Sequence, residues 1–276
     1  MSNGAPTPPD LNTIDIDVTD GIGTITLNRP DFFNAMSPEL IGELRVTFSW
    51  FADYEPARAV IITGAGAAFC AGGDINWFKK GIEDPDVNIV AGVRAGAETL
   101  HLAIVELQRI PMPVIAAING PAAGAGLSLA LACDIRICSD AKSTFLACAY
   151  GRIGASPDGG MTYFLPRAVG PSRALEILIN DPNISAEVAL EERLVTEVVP
   201  HDELMDRARA KAGKLGAKSP YYVRNAKALV HGSLDHTLTE HLQLERHAIA
   251  GSMATEDLLN AVTAFLDGTK SEFTGK

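Results

Sequence analysis

Apolar and polar residues alternate from Ile14 to Val18 and recur through Ile22–Leu27, with Gly21 and Gly23 at the junction; this pattern predicts a pair of strands. Ser37 then precedes a run with amphipathic spacing, which predicts a helix from about Pro38 to Tyr54 with Ser37 as its N-cap. Ala59–Thr63 reads as a short buried strand, and the loop FCAGGDINW (69–77) opens a short helix. Ala97, Leu100, Ile104 and Leu107 recur at helical spacing, giving a longer helix from about Val93 to Arg109. Residues 113–133, PVIAAINGPAAGAGLSLALAC, read as a buried strand, a loop of small residues and a helix whose first amide groups are bare. Strands follow at Ile135–Cys138 and near Thr144–Ala147, then a Gly/Pro loop running into a short helix (154–170), a helix at Arg173–Leu178 and a last strand at Val195–Val199. From Asp202 onward the pattern is helical, broken near Ser219-Pro220 and Gly232. Strands alternating with helices predict an α/β core over residues 12–200, preceded by a loose tail (1–11) and followed by a helical layer (201–276).

The uncharged stretch Val114–Cys133 is as long as a membrane span, but Asn119, Gly120 and Pro121 cut it in two and Gly and Ala dominate it. A buried strand–loop–helix is the expectation, with no membrane partner. The formal net charge of −11 and the lack of a basic stripe argue against a nucleic-acid partner. Cys70, Cys133, Cys138 and Cys148 form no C-x-x-C pair, and residues 1–11 lack the basic and apolar regions of a leader. Reduced cysteines in a cytoplasmic chain are the expectation.

Several motifs fail on inspection. TGAGAAF (63–69) follows a strand as a dinucleotide fingerprint does, but Phe69 stands at the third glycine position. Ser128 lies inside a helical run, not on the sharp turn of a nucleophile elbow. The histidines at 231, 236, 241 and 247 have no metal-ligand spacing, so no metal is expected. What survives is a pair of glycine-rich loops, FCAGGD and NGPAAGAG, each opening a helix. Tight helix–strand packing explains either alone. Together they offer two backbone N–H groups to one oxygen, the arrangement of an oxyanion hole.

At these residues the chain resembles the crotonase superfamily, the enoyl-CoA hydratase/isomerase family. The resemblance is carried by LNRPDFFNAMS, VIITGAGAAFCAGGD, PMPVIAAINGPAAGAGLSLALACDIRICSDAKSTF, IGASPDGGMTYFLPRAVG and AFLDG, in family order from about residue 12 to 268. It implies a spiral of repeated ββα units, a C-terminal helical region that builds a homotrimer or a dimer of trimers, and an acyl-CoA thioester as ligand. No cofactor is implied beyond the coenzyme A of the substrate. The resemblance also implies oxyanion donors at Gly73 and Ala125 and a backbone contact to adenine from the loop around Ala71, Gly72 and Asp74. Arg29, Lys79, Lys80 and Lys270 are cations available to CoA phosphates, and Phe265 is implied near the CoA entrance at a subunit boundary.

The family's hydratases use two glutamates. The matching positions here hold Ser128 and Tyr150, neither of which is a carboxylate base. Asp158, in Ser-Pro-Asp-Gly-Gly, reads equally as a helix N-cap or as a catalytic acid/base. Resemblance to isomerases of the phenylacetate-pathway type implies that Asp158 shifts the double bond of a 3-enoyl-CoA to the 2-position. His101 reads as a partly buried structural histidine or, by resemblance to the 4-chlorobenzoyl-CoA dehalogenase branch, as a base working with a nucleophilic Asp158. Hydration of a 2-enoyl-CoA, thioester hydrolysis and non-catalytic acyl-CoA binding remain open. Trp77, Phe78, Phe145, Tyr150, Met161 and Phe164 are candidates for the acyl pocket.

Overall fold

The computed structural model describes residues 7–276 apart from Glu55, so residues 1–6 of the expected tail lie outside the described residues. Its strands are β1 (Ile14–Thr19), β2 (Ile22–Leu27), β3 (Ala59–Gly64), β4 (Val114–Ile118), β5 (Ala122–Ala123), β6 (Ile135–Ser139), β7 (Phe145–Ala147), β8 (Ile184–Ser185) and β9 (Glu197–Val199). Its helices are α1 (Pro38–Asp53), α2 (Ile75–Glu83), α3 (Ile89–Arg109), α4 (Ala125–Ala132), α5 (Met161–Val169), α6 (Pro171–Asn180), α7 (Ala186–Glu191), α8 (Leu204–Gly216), α9 (Pro220–Gly232), α10 (Leu238–Ser252) and α11 (Glu256–Leu266).

A six-stranded sheet runs β1-β2-β3-β4-β6-β9, antiparallel only between β1 and β2. A smaller sheet runs β5-β7-β8, and the single bridges Met36–Gly73 and Cys70–Ala122 extend the same pairing among the earlier loops. Successive turns of chain therefore repeat one plan: β4 joins the large sheet, β5 the small one, and α4 follows, as do β6, β7 and α5. This is the spiral of ββα units.

The central strands are apolar throughout because both faces are covered. Val60 and Ile62 of β3, with Val114, Ala116 and Ile118 of β4, face the main core, which α1 and α3 close with Leu44, Phe48, Ile104 and Leu107. The alternate residues Ala59, Ile61, Ile115 and Ala117 face Leu204, Ala208 and Ala212 of α8. The first long helix of the C-terminal region, α8, forms the second wall of the sheet and belongs to the core.

Helix α9 is tied to the core by charge. Asp134, just beyond α4, accepts from the Val114 N–H at 2.7 Å and lies 2.8 Å from the Lys227 ammonium and 3.1 Å from His231 Nε2. Burial alone would raise the Asp134 pKa, but the His231 and Lys227 partners and the Val114 amide outweigh it and hold the carboxyl below its ordinary range. A depressed folded-state pKa contributes stability at neutral pH, and that contribution is lost as pH falls through the carboxylate range. Lys227→Met should lower unfolding stability by about 2–3 kcal/mol at pH 7, since it leaves the buried carboxylate with the Val114 amide and His231 but without its ammonium partner. The loss should shrink as pH falls, because the folded variant, lacking Lys227, protonates Asp134 before the folded wild type does. Urea midpoints at pH 7 and pH 3.5 check this; equal losses at both would remove the electrostatic account.

Candidate active site

Two loops leave neighbouring parallel strands of the large sheet and are fastened to each other. The loop after β3 carries Cys70 to Asp74, and the loop after β4 leads into α4. Phe69 and Ala123 donate backbone N–H groups across them to Pro121 and Cys70 at 3.1 and 3.0 Å. A Cβ on Gly126 would lie 2.2 Å from the Cys70 carbonyl oxygen, so α4 reaches the first loop only because that position is glycine. Met36 takes the Gly72 carbonyl and the Asp74 N–H, at 2.7 and 3.2 Å. Between them the Gly73 N–H has no backbone acceptor among the described residues, and the same holds for the Ala125 N–H at the first position of α4. Ala125 is 6% exposed, in a helix with every residue buried. Two unspent N–H groups, one at a helix start, stand on adjoining loops, and such groups stabilise negative charge on an oxygen.

One turn further along α4, about 4.5 Å in rise, comes Ser128. Its hydroxyl donates to the Asp158 carbonyl at 3.0 Å and its Oγ lies 3.2 Å from the Tyr150 hydroxyl. Tyr150 in turn donates to Asp158 Oδ1 at 2.7 Å. Asp158 is not a helix cap: α5 starts at Met161 with Gly160 before it, and no side chain caps it. Gly159 lets this segment press inward, for it holds a φ of +59° and a Cβ there would lie 3.0 Å from that of Ser128. Its N–H donates to His101 Nε2 at 3.3 Å. His101 is exposed, a correction to the expectation of partial burial, because α3 turns it outward beside the buried Leu100.

Burial, and then the charge of Asp158, push the Tyr150 phenol far above its ordinary range, so it remains a proton donor at any working pH. The four cysteines are free and buried, and burial raises each thiol to about 12, which excludes them as nucleophiles.

A family model described as enoyl-CoA hydratase/isomerase matches residues 17–276. The chain belongs to that family. It is 35% identical over 265 residues to a Rhodobacter capsulatus protein named probable enoyl-CoA hydratase, covering 96% of this chain and 99% of that one. It is 34% identical over 261 residues to the 1,2-epoxyphenylacetyl-CoA isomerase of Escherichia coli, covering 94% and 97%. The crystal structure of an enoyl-CoA hydratase from Bacillus anthracis superposes with a TM-score of 0.88 at 34% identity, covering 96% of this chain and 100% of that one. The crotonase fold expected from the sequence is therefore the fold of this enoyl-CoA hydratase/isomerase family member.

Within that family frame, the structure brings Asp158, Tyr150, Ser128 and His101 into one cluster and sets the Gly73 and Ala125 amides on the adjoining loops. It places other candidates differently. Arg29 is not an available cation: its guanidinium pairs with Asp74 Oδ2 at 3.0 Å and also donates to the Ala35 carbonyl. Asp74 Oδ1 caps α2 by accepting from the Asn76 and Trp77 amides at 3.0 and 3.3 Å. Both residues thus shape the loop that carries Ala71, Gly72 and Gly73. Phe78, edge-on to Trp77, lies against Gly73, its ring 2.9 Å from where a Cβ would stand. Phe265 and Lys270 are exposed, and the tail after them is tied to Arg58 and Asp257. Among the described residues no hydrogen bond or ion pair joins the side chain of Phe265 or Lys270 to the site residues. Neither the Gly159–His101 contact nor the loss of Asp158's capping role had a local signal in the sequence, since both depend on how α5 approaches α3 and α4.

Proposed function

We propose that this member of the enoyl-CoA hydratase/isomerase family is an isomerase that converts a 3-enoyl-CoA into the 2-enoyl-CoA. Asp158 takes the C2 proton, the thioester oxygen gathers the negative charge of the dienolate, and the same carboxyl returns the proton at C4. No atom is gained or lost. The Gly73 and Ala125 amides hold the developing oxyanion, the larger share of the acceleration in such sites. One observation carries this reading: the Asp158 carboxylate accepts from Tyr150 and its main-chain carbonyl accepts from Ser128, the two residues at the positions of the hydratase glutamates, and Asp158 serves no cap. A single base acting at both carbons needs no second acid. Lys79, Lys80 and Lys270 are proposed contacts for CoA phosphates. The exposed Leu238, Phe265 and Leu266 of α10 and α11 support a trimeric assembly that covers them.

The test is to supply 3-enoyl-CoA and 2-enoyl-CoA separately, in heavy water. Double-bond migration is expected, with deuterium entering C4 to the extent that the proton on Asp158 exchanges with solvent before delivery, and entering C2 when the dienolate is reprotonated there. Rapid water addition to the 2-enoyl-CoA with no migration would make the protein a hydratase, and CoA-ester binding with neither exchange nor turnover would make it a binding protein.

A second reading rests on His101 standing next to Gly159, which suits Asp158 as a nucleophile and His101 as the base for the ester it forms. Against it, the His101 Nε2 lone pair is already engaged by the Gly159 amide. It requires a covalent adduct on Asp158 with an aroyl-CoA, detectable by mass spectrometry.

A further inference from the structure

A base that must collect a proton at one carbon and deliver it at another needs an orientation that survives its own change of charge. Water-exposed aspartates rotate freely about their last bond; Asp158 does not have that freedom. Its side chain and its peptide are held by different residues. The Tyr150 hydroxyl has one proton, and of the two Asp158 oxygens in reach, Oδ1 at 2.7 Å is nearer than the carbonyl at 3.3 Å. The Ser128 proton has the Asp158 carbonyl as its nearest acceptor, at 3.0 Å. Oδ1 and the backbone are therefore occupied, while no protein donor reaches Oδ2 among the described residues.

Tyr150 is itself set by an uncommon backbone. The preceding Ala149 has a φ of +60°, a left-handed conformation that costs a residue with a Cβ of order 1 kcal/mol. The Ala149 N–H donates to Asp181 Oδ1 at 2.7 Å, and Arg152 pairs with the other Asp181 oxygen at 3.3 Å. Asp181 caps the end of α6, so the turn that aims the phenol is anchored on an element outside the site.

Resting on the isomerase reading above, we propose that Tyr150 is a positioning residue for the proton transfer, with Ser128 as its brace: it fixes Oδ1 so that Oδ2 alone faces the substrate carbons. The residues at the two glutamate positions then have a task of their own. They restrict one carboxylate to one productive oxygen.

The experiment uses the full-length protein and its Tyr150→Phe and Ser128→Ala variants, with unchanged melting temperature as the folding control. Tyr150→Phe should lower kcat for double-bond migration by about 10- to 100-fold, the range for a hydrogen bond to a charged group, with KM within about 2-fold. Ser128→Ala should show the same pattern with a smaller drop. A second readout needs no substrate: the carbon-13 carboxyl signal of Asp158, assigned by its disappearance in Asp158→Asn, should change position at fixed pH in Tyr150→Phe, because Oδ1 loses its donor. An active wild type whose Tyr150→Phe variant keeps its kcat and its carboxyl signal unchanged overturns the proposal. A wild type that migrates no double bond overturns the isomerase reading instead, and the carboxyl signal still decides whether Tyr150 holds Asp158.

Discussion

Asp158→Asn should reduce double-bond migration about 10³-fold or more, within the range contributed by a positioned general acid/base. The substitution is nearly isosteric. The asparagine carbonyl still accepts from Tyr150, the main-chain carbonyl still accepts from Ser128, and the Gly159 amide still reaches His101. The fold and the two loops should therefore be unaffected, and KM for the CoA ester should stay within a few-fold. What disappears is a group able to receive the C2 proton, so deuterium exchange at C2 should vanish together with turnover. Stopped assays of migration and mass spectrometry of the recovered thioester measure the two quantities independently. Exchange that persists while migration stops would assign C2 deprotonation to another base and leave Asp158 only the C4 step. Migration at a near wild-type rate would remove Asp158 from the chemistry altogether.

The difference between what the sequence foretold at this site and what only the structure supplies follows from range. The strands β1 to β4, the Ser37 cap and the core faces of α1 and α3 are written in local periodicity, and the observed elements agree to within a few residues. Helix α3 starts earlier than expected, at Ile89 with Asn88 as its cap, because exposed Val90 and Val93 blur its apolar stripe. The elements β8 and α7 are too short for any period to register. The two glycine-rich loops were legible because their small residues are consecutive in the chain, whereas the choice of Gly73 and Ala125 within them came from the family resemblance. Asp158 was ambiguous because a Pro-Asp-Gly-Gly string suits a cap and a catalyst equally. The cap is removed by Gly159 and Gly160, both with positive φ, which delay α5 to Met161 and leave the carboxylate to accept from Tyr150. The pairing of Arg29 has the same long range: its partner, Asp74, is 45 residues away in the sequence, so the sequence shows the cation without the carboxylate beside it.

Gly72→Ala should damage the site without touching any group that reacts. Gly72 has a φ of +97°, and a Cβ on it would stand 2.9 Å from the Ala123 carbonyl oxygen, a backbone atom that cannot swing aside. The strained backbone should cost about 1–3 kcal/mol of stability. The larger effect is geometric. Relief of the clash pushes the first loop away from the second, and the Gly73 amide moves relative to that of Ala125. Donors that stabilise an oxyanion act over a narrow distance, and a displacement near 1 Å is enough for a loss of about 10²-fold in kcat. Because the loss falls on enolate formation itself, C2 exchange and migration should decline by the same factor. Gly213→Ala in α8 is the matched control, since a Cβ there meets nothing within 4 Å and the exchange favours a helix. If Gly72→Ala raised KM for the CoA ester while leaving kcat and exchange intact, the loop would serve coenzyme binding alone. The oxyanion would then rest on the Ala125 amide and the N-terminus of α4, and the pairing of the two glycine-rich loops would have lost its chemical reason.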